Sequence, residues 1–399
     1  MKWHTPKINV SQACVALLST SLAIALSTSA IAGPREQARR MHDRLVGVPP
    51  SATVLDSMAA KIAGGDALGA ANEAMQNSTF YNSALKDFVT PWTNEAQTPF
   101  AELNDYTATV IGMIRDDVPF NQVLSADILY TGAAGVVTAP YSFTNNDHYK
   151  QLEANNVNLG DSTKLVRTTQ SSLPGTNLTE NDVAGVITTR ASGEAFFKGG
   201  TNRRVWRFTA MNYLCRDMEQ LSDVSRSADR IRQDIPRSPG GDSSLFLNNC
   251  IGCHTGMDAV SGAYAYYEWD ETDPAAAKLI FTPGRVQPKY HINSNAFPGG
   301  FFTIDNSWIN YWRAGPHAAL GWRGPQSSGT GPKSLGVEVG ASRAFSLCQV
   351  QKTFQRLCFR SPNTAADQSA IDRIATVFES NNYSMKRVFA ETATYCMGE

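Results

Sequence analysis

Five consecutive residues, Cys250-Ile251-Gly252-Cys253-His254, constrain this chain more than any other stretch. Two residues between the cysteines place both sulfurs on one side of a single helical turn, and the next residue sets an imidazole beside them. That spacing suits two thioether bonds to the vinyl groups of one porphyrin, with His254 as the proximal iron ligand. C-x-x-C also serves as half of a zinc site or as a dithiol redox pair. A zinc ribbon needs a second C-x-x-C or a downstream histidine pair, and a thioredoxin-like pair needs a βαβ setting; the sequence offers neither. The motif therefore predicts one covalent haem c, carried by Cys250, Cys253 and His254.

The sixth iron ligand is harder to read. No methionine stands between Asp258 and Ser384, so a Met ligand following the motif at the usual distance is absent. His291, within Lys289-Tyr290-His291-Ile292-Asn293, is the favoured metal ligand, next to an aromatic stretch at Phe297-Pro298-Gly299-Gly300-Phe301-Phe302. His317, an upstream methionine such as Met211 or Met218, a C-terminal methionine, or an open position are the alternatives. Met257 lies too close to His254 to reach the far face. Tyr264, Tyr266, Tyr267 and Trp269 either line a haem pocket or pack in an ordinary core. Arg203, Arg204 and Arg207 either meet haem propionates or form a solvated helix face.

The first 32 residues read as a secretory leader. Lys2 and Lys7 form a basic start, Ala13 to Leu26 carry no charge, and Ala30-Ile31-Ala32 supplies a small-x-small cleavage signal. The apolar run falls short of the roughly 20 residues that span a bilayer, and nothing later is long and apolar enough to do so. Location in the periplasm or outside the cell follows, which suits haem c, because covalent haem attachment takes place outside the bacterial cytoplasm. Of the seven cysteines, Cys14 departs with the leader. Cys215, Cys348, Cys358 and Cys396 then make an even set that predicts two disulfides. Cys348 and Cys358 are ten apart on an expected helix, about 1.5 Å of rise per residue, too far to pair with each other. Each must reach Cys215 or Cys396.

The fold class predicted is mainly α. Residues 33–124 read as a helical region: Ser51 caps a run to Ile62, Gly64-Gly65 breaks it, Asp66 opens Ala67 to Met75, and Phe80–Val89 and Phe100–Ile114 follow. Residues 125–235 read as a loop-rich middle, with a buried or β-leaning run at Val183–Thr189 and a pre-haem helix over Arg203–Leu221. Residues 236–399 read as a cytochrome c-like haem unit with closing helices over Ala341–Phe359 and Ala366–Tyr395; the stretch 282–338 is expected to be loop, on its glycines. A net charge of −1 gives no basic footprint for nucleic acid.

Several patches resemble the large exported planctomycete-type cytochromes c. Leu45-Val46-Gly47-Val48-Pro49-Pro50 looks like their leading helix signature, and Asp117-Val118-Pro119-Phe120 is similar to a recurring turn. Arg203–Cys215 looks like the helix before the haem segment. Cys250–Asp270 resembles the haem stretch through Cys250, Cys253, His254, Asp258, Glu268 and Asp270, although the usual Asp-Pro is Asp258-Ala259 here. The tail from Phe345 through Cys348 and Arg360 to Phe378 looks like the closing domain. The resemblance implies a haem-bearing electron carrier and no defined catalytic activity.

The expected function is one-electron transfer by an exported monohaem protein, with a redox protein or a small-molecule donor or acceptor as partner. A haem peroxidase or other small-molecule oxidoreductase, and a haem-bearing binding or scaffold protein, are the alternatives.

Overall fold

A computed structural model of the chain describes residues 32–232, 234–290 and 303–398. The expected leader, all but Ala32, and the candidate ligand His291 lie outside these residues. The chain is mainly helical, at 55% helix and 6% strand. Among the described residues, no helix is long and apolar enough to cross a membrane.

The first three helices are α1 (Pro34–Val46), α2 (Ala52–Ala63) and α3 (Ala67–Ala74). Their ends follow the side chains that satisfy free backbone N–H groups. The Ser51 hydroxyl accepts from Val54 N, and the Asp66 carboxylate accepts from Gly69 N at 2.8 Å. After a helical stretch over Phe80–Leu85 and Lys86–Val89, as expected, α4 (Asp105–Arg115) starts later than the expected Phe100, because Asn104 caps it by accepting from Thr107 N at 2.9 Å. Phe100 itself is exposed.

The middle is held by buried side chains that bond loop backbone. Arg115 donates to the carbonyls of Leu159 and Leu165, and Gln170 donates to those of Ile128 and Gly185. Such contacts let irregular chain pack without orphaned polar groups. One helix here, α5 (Asp147–Ala154), and one hairpin, β1 (Leu129–Gly132) with β2 (Leu165–Thr168), were not foreseen. The run at Val183–Thr189 is buried as expected but forms a 3₁₀ turn over Gly185–Thr188.

The pre-motif helix α6 (Asn202–Leu214) ends at Cys215, which adopts a left-handed conformation, and a separate 3₁₀ turn follows at Met218–Leu221. The motif helix is α7 (Ile251–Ser261). Two further hairpins come next: β3 (Tyr267–Asp270) with β4 (Lys278–Phe281), and β5 (Ser307–Ile309) with β6 (Ser328–Thr330). Within the stretch expected to be loop, Gly331–Gly340 forms helix α8. Its glycines mark close approach: a side chain at Gly336 would strike the Leu124 carbonyl, and one at Gly340 the Asn121 carbonyl.

Three helices close the chain: α9 (Arg343–Cys358), α10 (Ala365–Ser380) and α11 (Met385–Cys396). The last two replace the single run expected from Ala366 to Tyr395, which turns at Asn382 and Tyr383, both at positive φ. They return to the N-terminus. Phe389 of α11 packs edge-on against Phe80 and Phe88, and Arg44 of α1 donates to the Cys396 carbonyl at 2.6 Å. The main apolar core thus runs from Ala38 to Cys396, and Ile231, Phe246 and Ile251 form a small cluster apart from it.

Candidate haem-attachment site

Cys250 sits at the N-cap of α7, and Cys253 and His254 occupy its first turn. This end of the helix reaches the surface: the three side chains are half-buried, whereas Thr255 to Val260 are buried. The face of α7 that carries Gly252 and Gly256 is packed without clearance. Gly252 lies against Ser222 and Gly256 against the Trp312 indole, and a side chain at either would overlap its neighbour. Asp223 N donates to the Gly252 carbonyl at 3.0 Å, fixing the 217–225 segment beside the motif.

The two thiols have different surroundings. Cys250 packs beside a small apolar cluster of Ile231, Phe246 and Ile251. Cys253 packs against the main core, with its sulfur 3.5 Å from the Met218 carbonyl. Burial and, secondarily, the negative charge of Glu219 push the Cys253 thiol up from its ordinary pKa, so it is held protonated. Neither thiol is paired, while the other four described cysteines form two disulfides, Cys215–Cys348 and Cys358–Cys396. Cys348 and Cys358 do not pair with each other, as their spacing requires.

His254 is oriented by the residue one turn ahead. Its Nδ1 lies 3.1 Å from Asp258 Oδ1, which leaves Nε2 with no hydrogen-bonding partner among the described residues. Asp258 has no exposed side-chain surface, and Arg203 of α6 grips it through Nε to Oδ1 at 2.7 Å and Nη2 to Oδ2 at 3.1 Å. Arg232 N adds a bond to Oδ2 at 3.0 Å. Burial alone raises a carboxyl pKa; here the His254 and Arg203 contacts more than reverse that and hold Asp258 below the usual range. Arg203 also meets both oxygens of Asp234, at 2.7 and 3.0 Å.

The three arginines of α6 are thereby engaged with protein carboxylates. Arg203 holds Asp258 and Asp234, Arg204 pairs with Glu95, and Arg207 pairs with Asp217. Arg207 is exposed, as a solvated face predicts, while Arg203 and Arg204 are engaged in ion pairs within the chain. Tyr264, Tyr267 and Trp269 are buried in the main core, with Tyr267 4.8 Å from Phe281, in favour of core packing. Among the other candidate ligands, Met218 is buried beside Cys253, and Met211 faces a cavity beside Trp92 and Lys352. His317 Nε2 lies 3.0 Å from the Ser222 carbonyl, on the Gly252 side of α7.

The donor set fits a covalently attached haem. Two unpaired thiols and an imidazole with a free Nε2 share one turn, and a carboxylate fixes the other ring nitrogen, as second-shell partners of metal-bound histidines do. Apolar side chains are exposed on the adjoining segments, at Val224, Leu245, Leu247 and Ile304. Val224 lies against Gly252, and Ile304 adjoins Asp258 and Ala259. Asp258 is the residue that sequence reasoning passed over as only one of several spaced acids. Its signal is the i, i+4 interval from His254, which puts the two side chains on one helix face. No protein-family model, no curated protein and no solved structure matches this chain.

Proposed function

We propose that this protein is a monohaem c-type cytochrome that transfers single electrons outside the cytoplasm, of the kind that planctomycete-type cytochromes c represent. The observation that carries the reading is the first turn of α7: two unpaired thiols followed by His254, whose Nε2 has no partner among the described residues, in a chain whose four other described cysteines are bonded. When bound, the haem supplies a one-electron ferric–ferrous couple.

The chain's own residues have distinct parts in this reading. Cys250 and Cys253 tether the group, so retention does not depend on a deep pocket. His254 would hold the metal through Nε2, while Asp258 fixes the ring by accepting from Nδ1–H. Ile231, Phe246 and Ile251 exclude water on the Cys250 side. The two disulfides favour an oxidising compartment, where they persist. A redox protein or a small-molecule donor or acceptor is the partner proposed.

The test is production in a host able to mature c-type cytochromes, followed by denaturation and acid–acetone extraction. A red chromophore that stays with the polypeptide, and a mass increase of one haem on the peptide spanning Cys250–His254, is the expected result. Loss of all colour into the solvent, with the peptide at its unmodified mass, overturns the reading.

A further inference from the structure

The surroundings of His254 bear on where the couple lies. Three observations combine. The Nδ1 of His254 faces a carboxylate at 3.1 Å and not a backbone carbonyl. That carboxylate is wholly buried. It is also fixed from behind, since Arg203 and the Arg232 backbone N–H together bond both of its oxygens. A mobile or solvated acid would share its hydrogen bond with water; this one has a single orientation.

We infer that Asp258 is a positioning residue that makes the His254 imidazole an electron-rich ligand and moves the iron couple toward the reducing side. This rests on the haem reading above. A carboxylate accepting the Nδ1 proton draws it away from the ring and increases the electron density at Nε2, raising ligand basicity. A stronger donor stabilises the higher oxidation state of a metal. The ferric form therefore gains relative to the ferrous form, and the one-electron step occurs at lower potential with no bond made or broken.

The neighbouring charges limit the alternative explanation by simple electrostatics. Asp258, Asp234, Arg203 and Arg232 together carry no net charge, Arg203 is shared between both acids, and Arg237 near them adds a positive charge. The effect thus comes through the hydrogen bond and not through an excess of negative charge. That separates two variants. Asp258→Asn and Asp234→Asn each remove one negative charge from the cluster, but only the first alters the acceptor at His254.

The experiment uses the full-length holoprotein and two readouts, the midpoint potential by spectroelectrochemistry and the iron–histidine stretch of the ferrous protein by resonance Raman after photolysis of bound CO. Asp258→Asn is expected to favour the ferrous form about tenfold or more, about 60 mV upward at ~59 mV per decade for one electron, and to lower the stretching frequency. Asp234→Asn is expected to leave the stretch in place. The wild-type stretch, which needs no substitution, is expected at the strong-donor end of the range for histidine-ligated haem. Equal stretches in wild type and Asp258→Asn, or a wild-type stretch at the value of a neutral imidazole, overturn the inference while the attached haem stands. Absence of covalent haem in all three proteins instead overturns the function proposed above.

Discussion

The indole of Trp312 lies against Gly256, the residue two past His254, so closely that no side chain fits between them. The ring is held there by stacking on Trp206, with centroids 5.4 Å apart, and by donation from Nε1 to the Leu221 carbonyl at 2.9 Å. It has no room to yield. Gly256→Ala is expected to lower stability by about 1–3 kcal/mol through overpacking. Urea denaturation monitored by Trp fluorescence measures this, and an unchanged midpoint would mean that the packing against α7 is looser than described.

Arg203 joins α6 to the motif helix through a buried pair. Arg203→Met leaves the Asp258 carboxylate without its main counter-charge, and breaking such a pair from one side costs about 3–5 kcal/mol. The loss is expected to be much smaller when Asp258→Asn is already present. A double-mutant cycle by chemical denaturation reads the coupling, and additive losses would contradict it.

The disulfides predict a definite peptide map. Digestion without reduction is expected to yield Cys215 linked to Cys348 and Cys358 linked to Cys396, at Cα separations of 5.2 and 5.5 Å. Removing the first pair as Cys215→Ser with Cys348→Ser should cost about 2–5 kcal/mol. Recovery of Cys250 or Cys253 in a disulfide-linked peptide of the mature protein is the contrary result.

Asp367 provides a pH-dependent element away from the motif. The Arg360 guanidinium bonds both of its oxygens, at 2.7 and 2.9 Å, and holds its carboxyl well below the usual range against the opposing effect of burial. The backbone of Asn363 and the Tyr395 hydroxyl add to this. A carboxyl depressed in the folded state contributes stability above the unfolded pKa, about 3.9 for Asp, and loses it as pH falls toward the folded value. Asp367→Asn is therefore expected to be less stable than wild type at pH 7, with a gap that narrows below about pH 4. Thermal melts across that range test the sign, and a gap that widens in acid would refute it.

The two histidines that follow the motif carry opposite predictions. His317 uses Nε2 on the Ser222 carbonyl and lies on the Gly252 side of α7. Substituting His317 by Ala is expected to leave the iron spectrum as it is. His291, the sixth ligand proposed from the sequence, predicts the reverse: His291→Ala converts low-spin to high-spin iron. The His291 proposal is falsified if the low-spin spectrum survives that change.

The parts of this structure that were legible in the sequence are those with local causes. Ser51 and Asp66 announce their helices because capping is a matter of three or four neighbouring residues. The Cys250–His254 turn is legible for the same reason. What was not legible depends on distant partners. Gly336 and Gly340 read as loop residues, yet they permit contact with Leu124 and Asn121, more than 200 positions earlier. Arg203 gave no sign of its partner, since Asp258 lies 55 residues ahead. Apolar spacing places Phe100 in a helix, whereas the Asn104 cap starts α4 only at Asp105.

The Cys215–Cys348 bridge closes a covalent ring of chain that contains the C-x-x-C-H turn, whereas the Cys358–Cys396 ring excludes it. A single peptide cleavage anywhere between 215 and 348 therefore cannot release the motif from the rest of the molecule until the bridge is reduced. On the haem reading proposed above, a porphyrin joined after oxidation is joined to a tethered loop and not to a free-ended segment.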